Sequence, residues 1–136
     1  MLYGNMKQIT MSTGVIPIAI ATADGSTALY SASFKLNYGQ SVGVWSKAAS
    51  SGTVALKIQI EQSAVAPTTE GSADANYVIG NGVADVDSNL ANTTAVVKTI
   101  SPVPMMYARL KIIGLSGNDA TTTLAFKFFI QELVGM

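Results

Sequence analysis

Val54-Ala55-Leu56-Lys57-Ile58-Gln59-Ile60-Glu61 alternates with a period of two. In an extended chain Val54, Leu56, Ile58 and Ile60 share one face, and Lys57, Gln59 and Glu61 the other. The first face belongs in a core and the second in water. The same period recurs on both sides. Residues 28–36 set Ala28, Tyr30, Ala32, Phe34 and Leu36 against Leu29, Ser31, Ser33 and Lys35, with Leu29 on the outward side. Residues 41–47 set Val42 and Val44 against Ser41, Gly43, Trp45 and Lys47. Residues 107–113 set Ala108, Leu110 and Ile112 against Tyr107, Arg109 and Lys111. Residues 121–132 form the longest run, with Leu124, Phe126, Phe128 and Ile130 inward. Phe129 interrupts the polar face of that run.

Turn chemistry separates these runs. Ala23-Asp24-Gly25-Ser26, Asn37-Tyr38-Gly39, the loop at residues 48–52 and Gly114 to Ala120 with Asn118-Asp119 read as turns, and the 48–52 loop predicts a hairpin joining neighbouring strands. Residues 93–100 are β-branched and end at Ser101-Pro102-Val103-Pro104, since proline donates nothing to a ladder. Pro17 within the apolar segment 15–21 marks an edge strand. Residues 63–75 and 80–92 are long loops flanking Tyr77-Val78-Ile79, and loops of this length on a rigid sandwich tend to carry binding surfaces. A short helical turn is admitted near residues 83–92. The total is about eight strands with no helical stripe and no internal repeat, which is an all-β antiparallel sandwich. Residues 1–13 read as a polar N-terminal leader or arm and residues 14–136 as a single domain.

Composition excludes more than it assigns. The 136 residues contain neither Cys nor His, which removes disulfides, thiolate nucleophiles, the commonest zinc ligands and the commonest general base. Eight basic and eight acidic residues balance to zero, so no electrostatic footprint for nucleic acid or an anionic membrane exists. No stretch approaches the ~20 apolar residues of a membrane span, and Pro17 and the polar residues before it argue against a signal peptide ending at residues 21–23. Charged residues are only 12% of the chain against about 25% in an ordinary domain. A surface so weakly charged is expected to be covered in part by other copies of the chain or by a partner.

No constellation with catalytic spacing is present, and the chain is read as non-enzymatic, without cofactor or metal. Asp85-Val86-Asp87-Ser88-Asn89 offers oxygens at alternate positions, the spacing with which a loop wraps Ca²⁺, but Leu90 stands where an EF-hand loop needs Gly, and Val96 where it needs Glu. A polar loop with Asx-type turns is the expected outcome. Gly80-Asn81-Gly82 lacks the rest of a phosphate loop. The carboxylates Asp24, Glu61, Glu70, Asp74, Asp119 and Glu132 fall on turns, strand ends or outward faces, where they are expected to be solvated. Trp45, Tyr77, Tyr107 and Phe129 form either a stacking platform for sugars or core and subunit contacts. Arg109, the only arginine, shares a polar strand face with Lys111, in an interface ion pair or in solvent. Leu29 and Phe129, apolar on outward faces, point to a covered surface. The candidate interface is therefore Leu29, Trp45, Tyr77, Tyr107, Arg109 and Phe129.

Ser33-Phe34-Lys35-Leu36, Ser41-Val42-Gly43-Val44-Trp45-Ser46-Lys47-Ala48, residues 54–63, Asn76-Tyr77-Val78, Ser101-Pro102-Val103-Pro104, Tyr107-Ala108-Arg109-Leu110-Lys111 and Phe129-Ile130-Gln131-Glu132, taken in order, resemble structural proteins of tailed-bacteriophage virions. Capsid decoration and auxiliary head proteins are the relevant members. The resemblance implies a jelly roll, a homotrimer, the major capsid protein as partner, synthesis in the host cytoplasm and residence on the capsid surface. It carries over no functional residue. Related sandwiches serve in phage necks, tails and fibres, and a carbohydrate-binding module is the alternative reading of the same pattern.

Overall fold

Period-two patterning and the scarcity of helix-forming runs are realised as an all-β fold. The computed structural model describes residues 5–18, 28–35, 40–79, 85–103 and 106–134. Among them run nine strands: β1 (Asn5–Pro17), β2 (Ala28–Tyr30), β3 (Phe34–Lys35), β4 (Gln40–Ala49), β5 (Leu56–Ser63), β6 (Asp87–Leu90), β7 (Val96–Val103), β8 (Tyr107–Gly114) and β9 (Thr123–Val134). No helix long and apolar enough to cross a membrane occurs among the described residues.

All pairings are antiparallel. Sheet A has the order β1-β9-β4-β7, and sheet B the order β2-β8-β5-β6, with β3 also pairing β8. β2 and β3 are two pieces of one strand position along β8, interrupted at residues 31–33. Ser31 bridges the interruption: its Oγ accepts from the Leu110 amide at 2.8 Å, and its own amide donates to the Leu110 carbonyl at 3.1 Å. Counted that way, the eight positions run 1-8-3-6 in one sheet and 2-7-4-5 in the other. This is the jelly-roll order, in which every step along the chain crosses between the sheets except that from position 4 to position 5, which are neighbours in sheet B.

The inward rows of both sheets meet in one core. Val42, Val44, Ala48, Leu124, Phe126 and Phe128 come from sheet A, and Leu56, Ile58, Ile60, Ala108, Leu110 and Ile112 from sheet B, all buried. Each fully buried aliphatic or aromatic side chain contributes ~1.5–3 kcal/mol. Phe34 of β3 crosses to Phe128 of β9 with ring centroids 4.3 Å apart, tying the sheets face to face. Below the core, Asn118 accepts from the Ala55 amide at 3.1 Å and donates to the Ile18 carbonyl at 3.2 Å, fastening two crossovers together.

Several sequence expectations change here. From Asn5 onward the expected leader is strand β1, paired along its whole length with β9 and kinked by a bulge between Thr10 and Ser12. β1 is an edge strand, as Pro17 requires. The loop after β4 does not make a hairpin: β4 pairs with β9 and β7 while β5 lies in the other sheet, because a jelly roll crosses the sandwich at that point. β7 continues through Pro102 to Val103, which an edge strand permits since one side of its ladder is open. Tyr77-Val78-Ile79 provides only a bridge from Val78 to Gln62. Residues 87–90, inside the segment where a helical turn was admitted, are strand β6. Leu29 faces inward, packed on the core opposite Ile112, and Tyr30 faces outward. The break at residues 31–33 shifts the parity, so one alternation cannot describe both β2 and β3. The turns expected at residues 23–26 and 37–39 and the Gly80-Asn81-Gly82 segment lie outside the described residues.

Candidate functional site

Each sheet has an outer face, and the two faces treat aromatic and cationic side chains differently. On sheet B the outward row of β8 carries Tyr107, Arg109 and Lys111, paired in register with Ser63, Glu61 and Gln59 of β5. Water does not reach the middle of that row. The loop following β5 folds back over it, anchored by mutual backbone hydrogen bonds between Gln62 and Val78 at 2.8 and 2.9 Å. Asp74 stiffens this loop by accepting from the amides of Asn76 at 2.9 Å and Thr68 at 3.3 Å, contacts that hold its carboxyl below the usual carboxylate range. Glu70 ties the loop to the strand break, accepting from the Ser33 amide at 2.8 Å and the Ser33 hydroxyl at 2.7 Å.

Beneath this loop Arg109 is 0% exposed. Its Nε donates to Glu61 Oε2 at 3.0 Å, and its Nη1 donates to the Ser72 carbonyl at 2.7 Å. The guanidinium carbon lies 4.1 Å from the Tyr30 ring centroid and 4.3 Å from that of Tyr77, so the cation is held between two aromatic rings. Burial raises the Tyr30 phenol above its ordinary value, Glu61 adding to the rise and Arg109 opposing it; burial likewise raises Tyr77, opposed by Ser33 and Arg109. Both rings therefore stay neutral near pH 7, and the Glu61 carboxylate is the counter-ion. This corrects two expectations: Arg109 is in neither solvent nor an interface, and Glu61 is buried rather than solvated. Tyr77 is buried with them.

The outer face of sheet A is open. Trp45 of β4 stands opposite Val97 of β7 on one side and Lys127 of β9 on the other. Gly43, two residues before Trp45, stands opposite Phe129. A Cβ at position 43 would meet the Phe129 ring at 2.3 Å, so the ring lies down over the bare glycine backbone. Glycine is needed here for close approach and not for backbone conformation. Trp45 and Phe129 are both half-buried, and with Val97 and Lys127 they line an open cleft of about 230 Å³. Val97 is 61% exposed, and Val15 of β1, opposite Ala125 on the same face, is 64% exposed.

The six candidate residues thus separate. Trp45 and Phe129 come together on sheet A. Tyr77 and Arg109 close up on sheet B, Tyr107 is half-buried at the end of the same row, and Leu29 enters the core. Sequence reasoning missed Val97 and Lys127 as cleft residues. Lys127 was signalled by its place two residues before Phe129 in the same outward row, whereas Val97 reaches the cleft only through the long-range pairing of β4 with β7. At the acidic segment near β6, Asp87 accepts from the Asn89 amide at 3.0 Å in an Asx turn, and Asp85 accepts from Gln59 Nε2 at 3.1 Å. Among the described residues no cluster of three or more acidic side chains converges on a point where a metal ion could sit.

No family model matches the chain, and no curated protein is significantly similar to it. Among solved structures it is similar to a family 36 carbohydrate-binding module in complex with calcium and xylotriose, at 14% identity and a TM-score of 0.37, over 93% of this chain and 99% of that one. It is also similar to the catalytic domain of a family 87 α-1,3-glucanase in complex with nigerose, at 11% identity and a TM-score of 0.35, over 98% of this chain and 29% of that one. This chain therefore spans under a third of the glucanase domain's length. At such TM-scores these likenesses carry no argument about a ligand, which has to come from the geometry of the face.

Proposed function

We propose that this chain is a non-enzymatic carbohydrate-binding module whose ligand lies across the outer face of sheet A. The observation that carries the reading is the solvent-open pairing of Trp45 and Phe129 in one cleft on a rigid sheet. A sugar ring presents an apolar C–H face and a polar rim, and it is matched by an aromatic surface with a few polar groups at the margin. Sheet strands hold the two rings in place before any ligand arrives, so little ordering entropy opposes binding. The test is a panel of immobilised polysaccharides. The parent protein is retained by at least one, and Trp45→Ala and Phe129→Ala lose that retention while melting cooperatively; a parent that no glycan retains sinks the reading.

A second reading is supported by the composition and by exposed apolar side chains on the same face. With 12% charged residues, Val97 exposed in the cleft and Val15 exposed elsewhere on the sheet, the same face suits contact between copies of the chain. In that case the chain is a virion structural protein that decorates or stabilises a capsid as an oligomer, in keeping with its sequence resemblance. The jelly-roll order serves both roles, since capsid and lectin domains share it. Isologous packing of two such faces in a two-fold dimer would bring Lys47 and Lys127 toward the same cations of another copy, a repulsion that neither the head-to-tail contact of a trimer nor the sugar reading meets. A concentration-independent trimer mass in light scattering, together with binding to capsids, would favour the second reading.

A further inference from the structure

The charges of the open face are one-sided. Among the described side chains of the outward rows of sheet A, the charged residues are Lys47 and Lys127. Lys127 lines the cleft directly opposite Trp45, and Lys47 follows Trp45 by two positions in the same outward row, exposed. Two positions along a strand are ~7 Å apart. The chain as a whole is neutral, so composition does not force this asymmetry.

The described carboxylates are engaged elsewhere. Glu61 holds Arg109, Glu70 holds Ser33, and Asp74 holds Thr68 and Asn76. Asp85 takes the Gln59 amide, Asp87 the Asn89 backbone, and Asp119 the amide and hydroxyl of Thr121. The one salt bridge among the described residues is Arg109–Glu61, on the opposite side of the sandwich. An aromatic cleft rimmed by ammonium groups with no counter-ion among the described side chains is complementary to a ligand with an apolar ring face and a negative charge at its edge.

Resting on the carbohydrate reading, we infer that the preferred ligand is an anionic polysaccharide, its sugar rings lying on Trp45 and Phe129, with a carboxylate meeting Lys127 and the next acidic residue along the chain within reach of Lys47. Both lysines border water, so each pair is partly screened and the attraction is salt-dependent.

The experiment compares titration of the whole chain with trigalacturonate and with its fully methyl-esterified, neutral counterpart, by calorimetry at low and high salt. The acid form binds about tenfold more tightly at low salt, and the advantage disappears at high salt. Lys127→Gln brings the ratio of acid to ester affinity close to one, while Lys57→Gln, on the outer face of sheet B, leaves that ratio as it is in the parent. Equal affinity for the two forms, or an acid preference that survives Lys127→Gln, overturns the inference and leaves the carbohydrate reading standing. Binding of neither these nor any other glycan defeats the reading itself. A mass that rises with protein concentration without glycan, and falls to the monomer in Trp45→Ala, assigns the face to protein contact and overturns both.

Discussion

The two outer faces of the sandwich use the same materials, aromatic rings and a cation, to opposite ends. On sheet B the cation is Arg109, held between Tyr30 and Tyr77 and joined to Glu61 and Ser72 beneath a folded-back loop. On sheet A the cation is Lys127, beside Trp45 and Phe129 in an open cleft. The difference lies in closure. Sheet B has a loop long enough to cover it and a carboxylate in register to neutralise it, and sheet A has neither among its described residues. A cation–aromatic cluster that has found its own partners is a device of stability, and one that has not is available to a ligand.

The comparison breaks most easily at Arg109. Arg109→Ala leaves the Glu61 carboxylate buried without its counter-ion and empties the space between two rings, and ~3–5 kcal/mol of unfolding free energy should be lost in a denaturant titration. The double variant Arg109→Met with Glu61→Leu should recover most of that loss, since a buried pair replaced by apolar groups of similar volume is often neutral. A double variant as unstable as the single would show that the Ser72 bond and the ring contacts dominate. On the open face Trp45→Ala should reduce glycan affinity by about 30-fold, equal to ~2 kcal/mol, while unfolding free energy changes by less than ~1 kcal/mol.

Smaller effects sharpen the same contrast. Gly43→Ala puts a methyl group into the Phe129 ring, whose far edge can swing away, so a stability loss of ~1 kcal/mol should accompany a displaced ring and weaker glycan binding. Aromatic proton shifts of Phe129 would register the displacement. The smallest effect concerns Asp119, whose carboxyl is held below its ordinary value of 3.8 by the Thr121 hydroxyl and amide. A lowered folded value means that the stabilisation is complete above the ordinary value and is lost as pH falls through the folded one. The melting-temperature gap between the parent and Asp119→Ala should therefore be present at neutral pH and shrink below about pH 3.8, with glycan binding untouched.

Much of the scaffold was legible in the chain. The inward rows of β4, β8 and β9 follow from the period of two, because one face of each strand is core and the other is not. Leu29 was misread because that rule holds only within an unbroken strand, and residues 31–33 interrupt this one. The buried state of Glu61 and Arg109 was invisible for a different reason. Their outward position was read correctly, but a covering loop depends on where residues 64–79 pack, which no local pattern encodes. The open site was half legible: Trp45 and Phe129 each stood out as aromatics on an outward row, while their meeting depends on the register of β4 against β9, strands far apart in sequence.

The division between a closed face and an open one is tested most directly by a chemical-shift titration of the isotope-labelled chain with an acidic oligosaccharide that it binds. Perturbations should concentrate at Gly43, Trp45, Val97, Lys127 and Phe129 and leave Tyr30, Tyr77 and Arg109 unmoved. Perturbations centred on Arg109 and its two tyrosines, with the Trp45 indole unchanged, would contradict the account.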